Sequence, residues 1–97
     1  MKKYEKMYTT AVAIACDLCG ISFSDYCDGR NEAAVDARML VIGWLTGYGF
    51  TESRLAGLTG WSQQRINYIK NHAYFRLVRS VFREQYDAMT TEMSKMF

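Results

Sequence analysis

The chain of 97 residues contains no proline, a single histidine and only three cysteines. Without proline, and with few turn clusters, its Ala, Leu, Met, Arg and Glu content favours an all-helical fold. One histidine, His72, with no Ser/His/Asp set and no phosphate-binding glycine loop, argues against an enzyme and against a cofactor. No stretch approaches the roughly 20 apolar residues that span a bilayer, so we expect no membrane partner.

The first residues place lysines before an apolar stretch, an order that signal peptides share. Here Glu5 and several polar residues interrupt the stretch, and Asp17 follows closely. We therefore interpret this segment as the first helix of a cytoplasmic protein. A chain of this length is expected to form one helical domain, residues 1–97, with a single core.

The cysteines suggest two alternatives. Cys16 and Cys19 form a CxxC pair, and Cys27 with His72 would complete four zinc ligands. However, the second half of the usual zinc pattern is missing, and the pair falls within a helical periodicity. We favour core or half-buried thiols in a reducing cytosol, and predict no metal site.

Apolar residues three and four apart predict the first helices. The spacing indicates a helix over residues 3–19 that ends at Gly20, and then a short helix capped by Ser22 or Ser24. A third helix is expected from a cap at Asn31 to about Thr46, where Gly47-Tyr48-Gly49 would break it. Its apolar residues surround the helix nearly completely, so it should be the buried centre of the domain.

Residues 51–71 have the pattern of a helix-turn-helix. Leu55 and Ala56 occupy the positions where its first helix needs an apolar and then a small residue, and Gly60 falls at the turn. Ile66 and Ile69 fall on the inward face of the second helix. The alternative is an ordinary helical hairpin without DNA.

A long C-terminal helix is expected at about residues 74–95. Its apolar positions form a stripe of seven residues: Phe75, Val78, Phe82, Tyr86, Met89, Met93 and Met96. Two interpretations stay open, because the stripe suits either packing against the domain's own first helix or the seam of a homodimer. The pattern also leaves open whether this helix continues the preceding one or bends near His72.

Charge is unevenly distributed along the chain. The formal net charge of +2 comprises −2 over residues 1–36, +6 over residues 37–83 and −2 over residues 84–97. The basic block coincides with the helix-turn-helix pattern, as a phosphate-facing surface would require. The candidate base-contacting residues are Ser62, Gln63, Gln64, Arg65 and Asn67. The candidate phosphate-contacting residues are Arg30, Arg38, Arg54, Tyr68, Lys70, Arg76 and Arg79.

Residues 14–69 resemble the C-terminal, duplex-binding domain of the bacterial replication initiator DnaA. The shared features are a CGIS-like turn (Cys19 to Ser22), a short helix with Asp25 and Tyr26, a polar loop with Arg30, the pair Ala37 and Arg38, and the helix-turn-helix. The resemblance implies a helical fold shared with the tryptophan repressor. It also implies binding of double-stranded DNA, with the second motif helix in the major groove and the basic loop reaching the backbone and minor groove.

The chain departs from that family at the start of the recognition helix. The family signature there is Asp-His-Thr-Thr-Val, whereas this chain has Ser62-Gln63-Gln64-Arg65-Ile66. We therefore expect a DNA target other than the initiator's own box. No ATPase module is present, so we expect a small phage or mobile-element protein, or a stand-alone regulator of transcription or replication at the nucleoid. The alternative is a protein-interaction module that keeps the fold without binding DNA.

Overall fold

A computed structural model describes residues 2–97, and over this range the chain forms helices and no strands. The helices are α1 (Lys3–Cys19), α2 (Phe23–Asp28), α3 (Glu32–Tyr48), α4 (Glu52–Thr59), α5 (Gln63–Arg76) and α6 (Ser80–Met96). The predicted all-helical class is confirmed. None of the helices in residues 2–97 combines the length and apolarity needed to cross a membrane.

Four helices begin at a side-chain cap. In each, the cap oxygen accepts a hydrogen bond from the backbone N–H three residues later and replaces a bond missing from the first turn. The caps are Ser22 (3.1 Å), Asn31 (2.9 Å), Thr51 (3.0 Å) and Ser62 (3.1 Å). These starts confirm the sequence prediction, with Ser22 rather than Ser24 as the cap of α2.

The helix ends follow the glycines, with one correction. Helices α1 and α4 end at Gly20 and Gly60, whose φ angles of 67° and 79° lie in the left-handed region. Helix α3 does not break at Thr46 but runs through Gly47 to Tyr48, and the turn is at Gly49. Gly47 is tolerated inside the helix, where a Cβ atom would lie only 3.2 Å from the hydroxyl of Tyr86.

Helix α3 is the centre of the domain, as its all-round apolar sequence predicts. Helices α1, α2, α5 and α6 all pack on it. Its side chains Leu40, Val41, Ile42 and Leu45 have no exposed surface. Trp44 lies at its edge and donates a hydrogen bond from Nε1 to the Thr90 hydroxyl of α6, at 2.9 Å. Packing on all sides fixes where every other helix can lie.

Helix α5 approaches α3 at a glycine. A Cβ atom built on Gly43 would lie 2.9 Å from the Cβ of Ala73, which is too close for real carbon atoms. Small residues on both helices therefore allow the two backbones to come together. This crossing determines how far α5, the predicted recognition helix, stands from the core.

The C-terminal part of the chain differs from the prediction. Residues 74–76 belong to α5, which is continuous past His72, and the break comes at residues 77–79. The predicted helix over residues 74–95 therefore starts too early. Because of this break, Phe75 and Val78 are exposed rather than aligned with the stripe of α6.

The stripe of α6 packs inside the domain. Phe82, Met89 and Met93 are buried, Tyr86 is half-buried and Met96 is exposed. Helix α6 lies against α1 and α3, which is the self-packing interpretation of the stripe. A homodimer through the C-terminal helix stays a prediction, and it would have to use side chains other than these buried ones.

The crossing of α3 and α5 can be tested by comparing two helical glycines. Gly43→Ala places a methyl group against Ala73 and should force the helices apart, lowering the free energy of unfolding by about 1–3 kcal/mol. Gly57→Ala in α4 is the matched control, because a Cβ atom there meets nothing within 4 Å. It should raise stability by about 0.5–1 kcal/mol through helix propensity. Urea unfolding followed by circular dichroism measures both, and equal effects of the two substitutions would contradict the close packing.

Candidate nucleic-acid interface

Helices α4 and α5 are joined by three residues, Gly60, Trp61 and Ser62. Leu55 of α4 and Ile66 and Ile69 of α5 are buried, as their spacing predicts. With this face of α5 turned to the core, the residues of its first turn point outward. The start of α5 is consequently a surface feature held in place by buried contacts.

Three candidate residues share that first turn. Gln63, Gln64 and Arg65 are all exposed, and the two glutamine amides make no side-chain hydrogen bond within the part of the chain that the structure describes. The Arg65 guanidinium lies over the Trp61 ring, 4.2 Å from the ring centroid. This cation–π contact keeps the charge of Arg65 at the beginning of the helix.

Ser62 and Asn67 are occupied within the protein. The Ser62 hydroxyl is the cap of α5, where it accepts the backbone N–H of Arg65. The Asn67 amide donates to a carboxylate oxygen of Glu52 at 2.9 Å, and its carbonyl oxygen accepts from Asn71 at 3.1 Å. The predicted base-contacting set therefore separates into three residues with available groups and two that stabilise the helix pair.

Glu52 connects α4 to α5. Its carboxylate accepts from the Lys70 ammonium at 2.6 Å as well as from Asn67. These two hydrogen bonds lower the pKa of Glu52 below its ordinary value, and the bond from Lys70 has the larger effect. The positive charge of Lys70 is thereby matched by the only acidic side chain within residues 37–83.

Arg76 and Arg79 are also paired with carboxylates. Both approach the first turns of α3, where Arg76 pairs with Asp36, and Arg79 lies 3.5 Å from Glu32. Arg76 is mostly covered, whereas Arg79 keeps much of its surface in solvent. These two arginines therefore connect the end of α5 to the start of α3.

Arg38 holds the loop between α2 and α3. Its guanidinium donates to the backbone carbonyl oxygens of Tyr26 (2.9 Å) and Gly29 (2.8 Å). Desolvation, followed by the nearby charge of Arg65, lowers the pKa of Arg38. Arg30 lies in the same loop, exposed and without an ion pair in residues 2–97.

The remaining phosphate candidates are exposed. Arg54 lies over the ring of Tyr4, with its guanidinium carbon 3.6 Å from the centroid. The Tyr68 ring stacks on His72, with 3.9 Å between centroids. Arg54 therefore marks the point where α4 meets the first turn of α1, and Tyr68 lies on the outer face of α5.

The contact of Arg54 with Tyr4 brings in two cations that sequence reasoning missed. Lys3 and Lys6 flank Tyr4 on α1, are exposed, and make no ion pair in the described part of the chain. The sequence does carry a signal for these cations, the cluster of lysines at its start, but the same cluster also fits the beginning of a signal peptide. Nothing in the linear pattern joins residue 4 to residue 54.

The cysteines lie away from this surface. Cys16, Cys19 and Cys27 are half-buried around α1 and α2, and desolvation raises the pKa of each, to about 11 for Cys19. His72 instead stacks on Tyr68 of α5. Among residues 2–97 there is no group of three or more His, Cys, Asp or Glu side chains arranged to hold a metal ion.

The Glu52 contacts give a pH-dependent prediction. Because its pKa is lower in the folded protein, Glu52 stabilises the fold above its ordinary pKa, and this contribution is lost as the pH falls through the lowered value. We expect Glu52→Gln to unfold at a lower urea concentration than the unsubstituted protein at pH 7. The difference should close once the pH falls below the lowered pKa, because the carboxyl group is then protonated in the folded protein as well.

Glu92→Gln is the matched control for this effect. Glu92 pairs with Lys95 at 2.7 Å, but both lie on the exposed face of one helix, so the substitution should change stability little. Urea titrations at several pH values compare the two variants. A Glu52→Gln effect that stays constant from neutral to acidic pH would contradict the assigned role of the carboxylate.

Comparisons of the chain with protein-family models, curated proteins and solved structures find no match. The resemblance to the DnaA C-terminal domain, made on the sequence, therefore stays a prediction. The feature of this surface that bears most directly on function is the first turn of α5, with Gln63, Gln64 and Arg65.

Proposed function

We propose that this protein binds double-stranded DNA, with α4 and α5 acting as a helix-turn-helix and the first turn of α5 entering the major groove. The observation that carries the proposal is the exposed set Gln63, Gln64 and Arg65, which stands at the start of a helix held by buried contacts. Base-reading helices touch DNA with residues in this position. The proposal includes a fold of the kind shared by the tryptophan repressor and the DnaA C-terminal domain.

The chemistry of these three residues suits base recognition. A glutamine amide pairs with N6 and N7 of adenine, and an arginine guanidinium pairs with O6 and N7 of guanine. Each such pair contributes about 1–3 kcal/mol of discrimination against a wrong base. Arg65 would have to leave the Trp61 ring or use its outer edge, since the ring occupies one face of the guanidinium.

Phosphate contacts in this proposal come from cations without an acidic partner. Arg30, Arg54, Lys3 and Lys6 meet this condition in the described residues. Lys70, Arg76 and Arg79 were candidates from the sequence, but each has a carboxylate at its guanidinium or ammonium group. Their contribution to phosphate binding should be smaller, because a paired charge releases fewer counterions.

A small module of this kind suits a regulator of transcription or replication, or a phage or mobile-element protein. The alternative role, a protein-interaction module, is favoured by a different observation. Three large side chains around the break between α5 and α6 keep 66–88% of their surface exposed: Tyr74, Val78 and Val81. In the stripe of α6, Met89 and Met93 are buried and Met96 is exposed, so the alternative depends on this corner instead.

Selection from a random duplex library, at about 50 mM salt, tests the proposed base contacts. The unsubstituted protein should enrich a short sequence motif. Gln63→Ala combined with Gln64→Ala should lose the enrichment, because the amides that read the bases are gone, yet keep salt-sensitive binding to duplexes of mixed sequence. Arg65→Ala should weaken binding to every duplex by about tenfold.

The matched control carries Thr91→Ala and Ser94→Ala, two exposed polar residues on α6. It should enrich the same motif as the unsubstituted protein. The proposal is wrong if no duplex binds at low salt, or if the glutamine variant enriches the original motif unchanged.

A further inference from the structure

Two adjoining cavities follow the seam between α3 and α5. Their volumes are about 330 Å³ and 160 Å³, and Met39, His72 and Arg76 line both. Because the two cavities share these lining residues and adjoin, we call the pair the seam groove. It extends from Arg65 near the start of α5 to Arg79 beyond its end.

Aromatic rings follow one side of the seam groove. Tyr68, His72 and Phe75 are four and three residues apart, so they share a face of α5. Tyr68 is 60% exposed and Phe75 is 71% exposed, although apolar rings of this size are normally covered. From residue 68 to residue 75 the helix rises by about 10 Å. The Tyr68 and His72 rings stack on each other, with 3.9 Å between centroids, so the outer faces of this pair and the Phe75 ring are the ring surfaces left along the groove.

Arginines flank these rings at both ends of the row. Arg65 and Arg76 lie on α5 before and after the rings, Arg79 lies in the break that follows the helix, and all three line the seam groove. Arg38 lies on the opposite side of the groove, and its guanidinium donates to the carbonyl oxygens of Tyr26 and Gly29. The seam groove therefore combines exposed planar groups with arginines at both of its ends.

We propose that the seam groove binds single-stranded nucleic acid, with bases stacked on Phe75 and on the outer faces of the Tyr68–His72 pair, and phosphates held by Arg65, Arg76 and Arg79. Grooves that carry single strands combine a positive channel with aromatic rings on which successive bases stack. Duplex DNA hides its base faces and offers only their edges, so a row of ring faces has no use against it. This activity shares Arg65 with the proposed duplex contacts but uses neither Gln63 nor Gln64.

The acidic residues beside the seam groove limit its affinity. Glu32 and Asp36 pair with Arg79 and Arg76, and a phosphate must compete with those carboxylates. Glu32 is the more exposed of the two, so its replacement leaves the core undisturbed. Glu32→Gln should strengthen single-strand binding about two- to fivefold, because Arg79 then meets no opposing charge.

Phe75 and its neighbour Tyr74 provide a matched pair of variants. Their exposures are 71% and 73%, but Phe75 lines the seam groove, and Tyr74 lines a different cavity on the other side of α5. Fluorescence anisotropy with labelled oligo(dT) and oligo(U) of about 16 nucleotides measures binding. Phe75→Ala should weaken binding about tenfold, and Tyr74→Ala should leave it within about twofold.

Arg79 and Arg83 form a second pair, since both side chains are 61% exposed and only Arg79 lines the groove. Arg79→Ala should weaken binding more than Arg83→Ala. The proposal is overturned if neither oligonucleotide binds at low salt, or if the members of each pair behave alike. Binding to either oligonucleotide supports the proposal. The ratio of the two dissociation constants shows whether the groove distinguishes oligo(dT) from oligo(U).

The variant with Gln63→Ala and Gln64→Ala separates this proposal from the duplex proposal. It should bind the single strands as tightly as the unsubstituted protein while losing duplex selectivity. If it loses both, the seam groove is not a separate site and the proposal fails. Because all the substituted residues are exposed, circular dichroism melts should show that each variant keeps the fold.

Discussion

The burial of α3 on all sides is the constraint on which the rest of the molecule depends. Four helices pack on it, and its interior residues leave no room for a second core. Gly43 lets α5 come close enough for Ala73 to touch the central helix, and Ile66 and Ile69 extend the same contact toward α4. The outward direction of the first turn of α5 follows from this packing, because a helix with one face buried must present the other.

Charge pairing then divides the basic side chains into two groups. Carboxylates at the start of α3 and α4 form ion pairs with Lys70, Arg76 and the largely exposed Arg79. Cations near the start of α5 and at the start of α1 have no such partner within the described range. The surface that remains positive is thus smaller than the net charge of the basic block suggests.

The features of the structure that could be predicted from the sequence are those set by residues close together in the chain. The caps of four helices, the glycines at helix ends and the apolar spacing are all short-range, and they located the starts of α1 to α5 and the central position of α3 correctly. Long-range pairings were not predictable, because Glu52 with Lys70, Arg76 with Asp36 and Arg54 with Tyr4 depend on how the helices pack. The break at residues 77–79 was missed because the apolar spacing runs through it without a glycine or proline.

Amide chemical shifts during titration with a mixed-sequence duplex test the central claim most directly, since they identify the contacting residues even when binding is weak. The account predicts that the largest changes fall on residues 62–66 and on the side-chain amides of Gln63 and Gln64, with smaller changes near Arg30 and Arg54. Changes confined to the corner at residues 74–81, or the absence of any change at low salt, would contradict duplex recognition by α5.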